Sequence, residues 1–497
     1  MLVIISDLHF VDGTSGAHNL RHEAFTKVFR SALVEAAKNN DAKEIKIVLL
    51  GDIVDLVRST HWLEVPLKHR PWGAEGLADI EAYRDLTACG QRRPTEEICL
   101  RILGQLPDSG RKQDVAHKDT ILYQNWETFS FFRDLSRTIH RYKELREIPV
   151  QIIYIPGNHD RMCNLYPSVR DELARIFGLT ITADVVDQHS GHEWWYRYVF
   201  MDETYGVLAR HGHQFDQANY AGRTHAEHVG RRQDNLQLPI GEVLTTEFAV
   251  RIPWEAAKHS VIGKELVHRL QDIDNVRPLG RVLEWLYWKL AGEAQREKIS
   301  KKLDEIMDSV LVNLMAIEYV QQWRTPGLEI DELVRLLSGP ALGPLLRRFL
   351  DVTKTEKLLQ VILPLVEGER SQEEDTHVRA ARLGEPLWGL NRKLRFVLYG
   401  HTHKPLIVPL ASEEDREVVY INTGTWRKRI HRTIGLGKEL EVKAGINVGF
   451  VDFKHLTYAF FYGPEEDGGV GGNKAKGTVS YDVWSGQMHK DYIPDNT

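Results

Sequence analysis

Cysteine is scarce in this sequence: three among 497 residues, at Cys89, Cys99 and Cys163. So odd and sparse a set excludes a disulfide framework and fits a reducing compartment. None stands in a Cys-x-x-Cys pair, which also excludes a thiolate zinc site of the usual spacing. Long apolar runs are missing too; nothing approaches the ~18 uncharged residues that a membrane span needs. The first residues lack a basic segment, and the run Leu2-Val3-Ile4-Ile5 reaches Asp7 too soon for a secretory signal. Cytoplasm is the expected location. Nor is there a basic excess, with 64 Lys and Arg against 70 Asp and Glu and a formal net charge of −6. That balance argues against a chain coated on nucleic acid, while a local basic groove stays open.

What is present is a globular balance, 42% hydrophobic and 27% charged residues. The length allows one large domain with insertions, or about two to three ordinary domains. Short β-rich runs recur, and each ends at a polar cluster. Leu2–Ile5 meets Ser6-Asp7-Leu8-His9, and Ile45–Leu50 meets Gly51-Asp52. Val150–Ile155 meets Gly157-Asn158-His159-Asp160, and Val207–Ala209 meets His211-Gly212-His213. Phe396–Tyr399 meets Gly400-His401-Thr402-His403, and residues 418–421 meet Asn422-Thr423-Gly424-Thr425. Such runs read as buried strands.

Between them lie helical patterns. Ala24, Phe25, Val28, Phe29, Ala32, Leu33 and Ala36 share one helical face, and Leu173 to Phe177 form a short helix stopped by Gly178. Strand-helix-strand order predicts a layered α/β domain. In such sheets ligands gather beyond the carboxyl ends of the strands, so the polar clusters are expected to converge on one site. Two stretches interrupt the pattern. Residues 58–145 are partly helical, and 216–392 read as almost wholly helical, with Leu303, Ile306, Met307, Val310, Leu314 and Ile317 at helical spacing. The expected organisation is a discontinuous core, 1–215 plus 393–497, with 216–392 as a helical insertion carrying its own core, or capping the pocket or a dimer face. The acidic stretch 367–375 and the Gly-rich stretch 468–477 read as loops.

The clusters carry a metal-binding chemistry. Asp7-x-His9 and His401-x-His403 each put two donors on one face of an extended chain end. Asp52 offers a carboxylate able to bridge two cations, Asn158 a neutral oxygen and His211 an imidazole. Oxygen mixed with imidazole suits Mn, Fe or Zn, whereas calcium wants oxygen alone. Two such ions ~3.5–4 Å apart acidify a shared water and clamp a phosphoryl group. His159 is placed to protonate a leaving alkoxide, with Asp55 or Asp160 to orient it.

These motifs resemble those of the calcineurin-like metallophosphoesterase superfamily over Met1 to about Leu56, about Val150 to His213 and about Leu394 to Trp426. The resemblance implies a two-sheet β-sandwich flanked by helices, enclosing a di-metal centre. It implies one metal on Asp7, His9, Asp52 and His403 and the other on Asp52, Asn158, His211 and His401, with Asp52 bridging and His159 as phosphate contact and general acid. Gly51-Asp52-Ile53-Val54-Asp55 resembles a motif of Ser/Thr protein phosphatases and favours Asp55 as the partner of His159. Those enzymes follow that Asp with a phosphate-binding Arg. Here the position is Leu56, Arg58 is out of register, and Arg161 is a substitute.

Further candidates lie nearby. His213, oriented by Asp216, faces the site or supports it. Asn422 to Thr425 reads as a supporting turn. Trp426-Arg427-Lys428-Arg429-Ile430-His431-Arg432 reads as a solvated hairpin, or as a basic contact for an anionic substrate through Arg427. The expected activity is hydrolysis of a phosphate ester, a phosphodiester or nucleotide-like substrate, with two divalent ions, Mn before Fe or Zn. The rivals are a nuclease on DNA or RNA, a catalytically silent scaffold, and a lipid-precursor pyrophosphatase. The last needs an exposed apolar cap face around Trp285 to Leu290.

Overall fold

In the computed structural model the apolar runs are strands. The structure describes the chain except residues 17–18, 85–92, 190–192, 224–230, 278–284, 286–288, 290–295, 324–375, 414–415, 433–448, 467–477 and 489–497. Cys89 and the 367–375 and 468–477 stretches lie outside the described residues. In chain order the strands are β1 (Leu2–Ile5), β2 (Ile45–Leu50), β3 (Val150–Ile155), β4 (Val186–His189), β5 (Glu193–Tyr196), β6 (Phe200–Asp202) and β7 (Val207–Ala209). They continue as β8 (Val276–Arg277), β9 (Phe396–Tyr399), β10 (Pro405–Glu413), β11 (Arg416–Thr423), β12 (Arg429–Arg432), β13 (Phe450–Tyr462) and β14 (Ser480–Met488).

The architecture is mixed α/β. One sheet runs β3-β2-β1-β13-β12-β8, with β14 also on β13; a second runs β10-β11-β9-β7-β6; β4 and β5 pair separately. β1, β2 and β3 are mutually parallel, and so are β7, β9 and β11. Parallel neighbours end at the same sheet edge, so within each sheet the polar clusters are delivered to one side. The two sheets share a buried core, in which Phe396 lies 5.0 Å, centroid to centroid, from both Phe461 and Tyr481. β1 is buried along its whole length, as expected of a parallel strand covered on both faces.

Two helices differ from the sequence pattern. The one after β1 begins with a π-helical turn, Ala24–Phe29, and continues as Arg30–Asn39. The extra residue in that wide turn rotates the buried stripe, so Val28 is 45% exposed while Val34 and Ala37 are buried. The other starts earlier than expected: Pro167 opens it, its ring preset for the first helical position, and Gly178 ends it in the left-handed conformation.

Among the described residues, the insertion does not close a core without the sheet. In helix Arg296–Met315, Leu303, Ile306, Met307 and Val310 pack with Ile252, Leu266 and Trp285, but Ile430 of β12 and Phe450 of β13 complete that cluster. Farther along, Leu311, Leu314 and Ile317 join the main core. Helical periodicity reveals that a stripe is buried but not what buries it. The 58–145 stretch likewise sends Trp62, Trp72, Phe129 and Phe132 into the main core. Among the described residues no helix is long and apolar enough to cross a membrane.

Candidate metal centre

The loops leaving β1, β2, β7 and β9 converge. Asp7, His9, Asp52 and His403 present ligand atoms within 4.8 Å of one another, as do Asp52, His211 and His401, and also His9, Asp55 and His159. These groups can hold metal ions. The backbone is unusual here. Of the six described non-glycine residues with positive φ, five are candidate ligands: Asp7 (52°), His9 (49°), Asp52 (52°), His401 (67°) and His403 (60°). Each such residue costs about 1–3 kcal/mol and persists only where its surroundings impose it. The imposing bonds are visible. Asp7 N–H donates to Gly51 O (3.0 Å) and His9 N–H to Asp52 O (2.9 Å). His401 N–H donates to the Asp7 carboxylate, 3.1 Å from either oxygen. Paired donors therefore meet through left-handed turns, not through the alternation of an extended chain. Gly157 lacks a side chain for a related reason: a Cβ there would collide with Asp52 Oδ1 and the His211 ring.

Hydrogen bonds on the far ring nitrogens set the tautomers. His9 Nδ1 donates to Asp55 Oδ2 (3.1 Å), which leaves an Nε2 lone pair 3.0 Å from His403 Nε2 and 3.7 Å from Asp52 Oδ2. His211 Nδ1 donates to Leu50 O (3.1 Å), and its Nε2, without a hydrogen-bond partner, lies 3.2 Å from the same Asp52 oxygen. Asp52 Oδ2 thus sits between both groups of imidazoles. The Asn158 amide oxygen is buried with no hydrogen-bond partner. Converging lone pairs and an orphaned amide oxygen are what a borderline divalent cation satisfies, so the donor set fits one. Burial raises the Asp7 pKa, with His211 opposing and Asp52 adding to the rise. Burial disfavours the His211 cation, yet Asp52 and Asp7 outweigh it and push its pKa up to about 9.

His159 is partnered by Asp55. Its Nδ1 donates to Asp55 Oδ1 (2.9 Å), and its backbone N–H donates to Asp52 Oδ1 (2.9 Å). Burial alone would lower the His159 pKa; Asp55 and Asp52 reverse this and raise it to about 9. Asp160 points elsewhere, accepting from Ile53 N–H (2.9 Å) and from the Tyr154 hydroxyl, so it shapes the loop rather than the imidazole. The turn after β11 supports the ligands. The Asn422 amide donates to Gly400 O (2.7 Å) and the Thr425 hydroxyl to Asp7 O (2.6 Å).

Three expectations are corrected, and that for His213 is narrowed to its supporting form. Asp216 does not orient His213; it accepts from His401 Nε2 (2.9 Å), leaving Nδ1 as that ring's lone-pair donor. His213 is buried and belongs to none of the ligand groups; burial, with His211 and His401, holds its pKa well below the ordinary value. Arg161 is neither a surface residue nor a phosphate ligand, because its buried guanidinium is clamped by Glu242 and by Leu236 O (2.7 Å). Arg427 is no part of a solvated hairpin: it is buried on Asp274 (2.7 Å), Lys428 pairs with Asp272, and Arg429 donates to His403 O (2.7 Å).

The structure also adds residues that motif reading passed over. Asn219 Oδ1 accepts from Asn158 Nδ2 (3.2 Å), while its own amide donates to Asp216 Oδ2 (2.7 Å). That chain fixes which Asn158 atom faces the site. His377 is buried with its ring centroid 5.8 Å from that of His401 and its Nε2 3.2 Å from Gly212 O. Neither belongs to a local pattern, although Asp216-x-x-Asn219 lies just beyond the His211 motif. No protein-family model matches the chain, and no curated protein matches it.

Proposed function

We propose that this chain is a metal-dependent phosphoesterase of the calcineurin-like kind, its two larger sheets forming the sandwich that such a core requires. The observation that carries the reading is the concentration of strained, buried donors at the strand ends: four left-handed ligand residues around a fifth, Asp52. A protein keeps such strain where function demands it. The residues that would hold one ion are Asp7, His9, Asp52 and His403; Asp52, Asn158, His211 and His401 would hold the second. Divalent cations there, Mn by preference and otherwise Fe or Zn, supply a water acidified towards neutrality and charge neutralisation for the phosphoryl group.

The chain's own residues do the rest. Asp55 holds His159 through Nδ1 and, with Asp52, keeps the ring cationic, so Nε2 also carries a proton to offer the leaving oxygen. His159 is more open than the carboxylates around it, with 17% of its side chain exposed against none of Asp55. Substrate therefore approaches from its side. The nucleotide-like or diester preference rests on the absence of an Arg at Leu56 and on the size of the insertion. Of the Trp285 to Leu290 segment that the lipid-facing rival needs, Trp285 is fully buried, and residues 286–288 and 290 lie outside the described residues. Scarce cysteine, with Cys99 and Cys163 free and buried, supports a cytoplasmic location.

The test is hydrolysis of p-nitrophenyl phosphate and bis-p-nitrophenyl phosphate by Mn-loaded protein, with Asp52→Asn alongside. Asp52→Asn keeps the shape of the side chain but removes the charge shared by both groups. We expect metal content to fall to background and turnover to drop by at least ~10³-fold, beyond the cost of one lost electrostatic contact. Turnover that survives in Asp52→Asn would refute the reading.

A further inference from the structure

The outer face of the helical layer carries a groove lined by arginine. Helices Trp126–Arg133 and Leu135–Ile139 run on as one rod, because Asp134 N–H donates to Ser130 O (2.9 Å) and Thr138 N–H to Asp134 O (2.9 Å). Their apolar side, with Phe129, Phe132, Leu135 and Ile139, is buried in the main core. On the other side Arg133, Arg137 and Arg141 follow at four-residue spacing, about 6 Å per step along the axis. All three line a cleft of ≈ 630 Å³. Arg30, which opens helix Arg30–Asn39, joins Arg137 and Arg141 in an adjoining cleft of ≈ 240 Å³. At the far end of the rod His140 Nε2 donates to Ile148 O (3.0 Å), just before β3. That is the opposite sheet edge from the ligand loops, which follow the carboxyl ends of the strands.

The carboxylates at the groove leave most of this charge unanswered. Glu127 is held by Lys112 (3.0 Å), and Asp134 acts on its neighbour Arg133, which also donates to Ser130 Oγ (3.0 Å) and Ile176 O (3.2 Å). Arg30, Arg137 and Arg141 have no ion pair with an acidic group among the described residues, and Arg30 Nε is buried without a hydrogen-bond partner. Like charges at four-residue spacing destabilise a helix, so the row is kept at a cost. Unpaired guanidinium forks are phosphate ligands. The shape of the groove narrows the kind of phosphate. Asp134, Arg137 and Arg141 are exposed, so these walls would leave a small ligand mostly in water, whereas built small-molecule pockets enclose theirs. A row of forks suits phosphates in line, and its step is comparable with the distance between neighbouring phosphates along a nucleic-acid strand. The groove's phenylalanine, Phe131, is buried against Phe29 and Phe132 and offers no face for a base to stack on, which points to recognition of backbone rather than bases.

We propose that this groove binds the phosphate backbone of a nucleic-acid duplex through Arg30, Arg137 and Arg141, apart from the metal centre. The proposal goes beyond the phosphoesterase reading and does not rest on it, since the groove ends at the other edge of the sheet. It gives a cationic face to a chain whose formal net charge is −6. Contacts to phosphate alone carry no sequence preference, so the groove tethers the chain to a duplex without selecting a position on it.

The experiment is fluorescence anisotropy of a labelled DNA duplex of mixed sequence with the full chain, in EDTA so that no metal-dependent cleavage intervenes. Three phosphate contacts predict a slope of about −2.7 in log K against log salt, a loss of roughly 40-fold between about 50 and 200 mM. Arg137→Gln should reduce that slope by about one, equally for duplexes of different sequence. Combining Arg30→Gln, Arg137→Gln and Arg141→Gln should bring binding to background. Should the combined variant fail to fold, Arg137→Gln with Arg141→Gln, both at exposed positions, decides: the slope should fall to about −1. An unchanged slope in these variants overturns the proposal, and so does a parent that binds no duplex or binds only tripolyphosphate or anionic vesicles. Hydrolysis of bis-p-nitrophenyl phosphate by the Mn-loaded parent separates the two readings. Duplex binding without turnover would remove the phosphoesterase assignment and leave the groove standing; turnover without duplex binding would do the reverse.

Discussion

The ligand loops and the face that the insertion presents to them are both buried and both charged, yet they are assembled by different means. In the ligand loops each donor sits just past the end of a parallel strand, and left-handed turns aim it inward. The charges there answer one another: Asp55 serves His9 and His159, and Asp52 faces His9 and His211. On the insertion side, fixed cations of the core meet carboxylates with no strand-end rule to bring them together. Arg161 meets Glu242 across 81 positions, and Arg427 meets Asp274 across 153. The first kind of assembly is a geometry any chain with these strands can reach. The second is a private pairing between one core and one insertion. The lesson is that chemistry and its tuning are carried by different parts of the chain, and they should fail differently.

His159→Ala should separate them most widely. Losing the proton donor is expected to slow hydrolysis of an alkyl phosphate by ~10²–10⁴-fold with metal content unchanged, and to cost less on a p-nitrophenyl ester, whose leaving group needs no proton. Equal losses on both esters would remove His159 from the acid role. The matching change on the insertion side is Glu242→Gln. It leaves the Arg161 guanidinium buried and uncompensated, at a cost of about 3–5 kcal/mol read from the urea midpoint. The folded fraction should still bind Mn normally. Reduced turnover at unchanged stability would break the comparison, because the pair would then belong to the chemistry.

Asn219→Ala probes the seam between the two regions. Asn158 would lose the acceptor that fixes its amide, and Mn affinity by titration calorimetry should fall by ~10–100-fold, the usual cost of removing a ligand's orienting partner. An unchanged affinity would mean that the insertion's first residues merely cover the ligands.

The same division marks what was legible in the sequence. The strands, their order of appearance and the donors at their ends could be read, because a run of Val, Ile and Leu stopped by Gly and Asp or His is a local signal. Asp55 could be chosen over Asp160 only by resemblance; the structure shows the physical reason, since Asp160 spends its carboxylate on Ile53 and Tyr154. The roles of Asp216, Arg161 and Arg427 were not legible. Each depends on a partner whose position is fixed by tertiary packing, and a charged residue in a sequence does not announce its counter-ion. Asp216 stood near His213 in the chain and His401 in space.

Val28 tests the smallest of these differences. Straight helical periodicity places it on the buried face with Phe25 and Phe29, where truncation to a polar residue would cost about 1–3 kcal/mol. The π-helical turn instead leaves it 45% exposed while Phe25 and Phe29 are fully buried. Val28→Ser should therefore change stability by no more than ~0.5 kcal/mol in urea denaturation. Phe29→Ala, one position on, should cost about 3–5 kcal/mol because it empties a site packed against Trp426 and Tyr458. Comparable losses at both positions would return the turn to ordinary α-helix. The packing between β1, that helix and the ligand-supporting turn before Trp426 would then have to be redrawn.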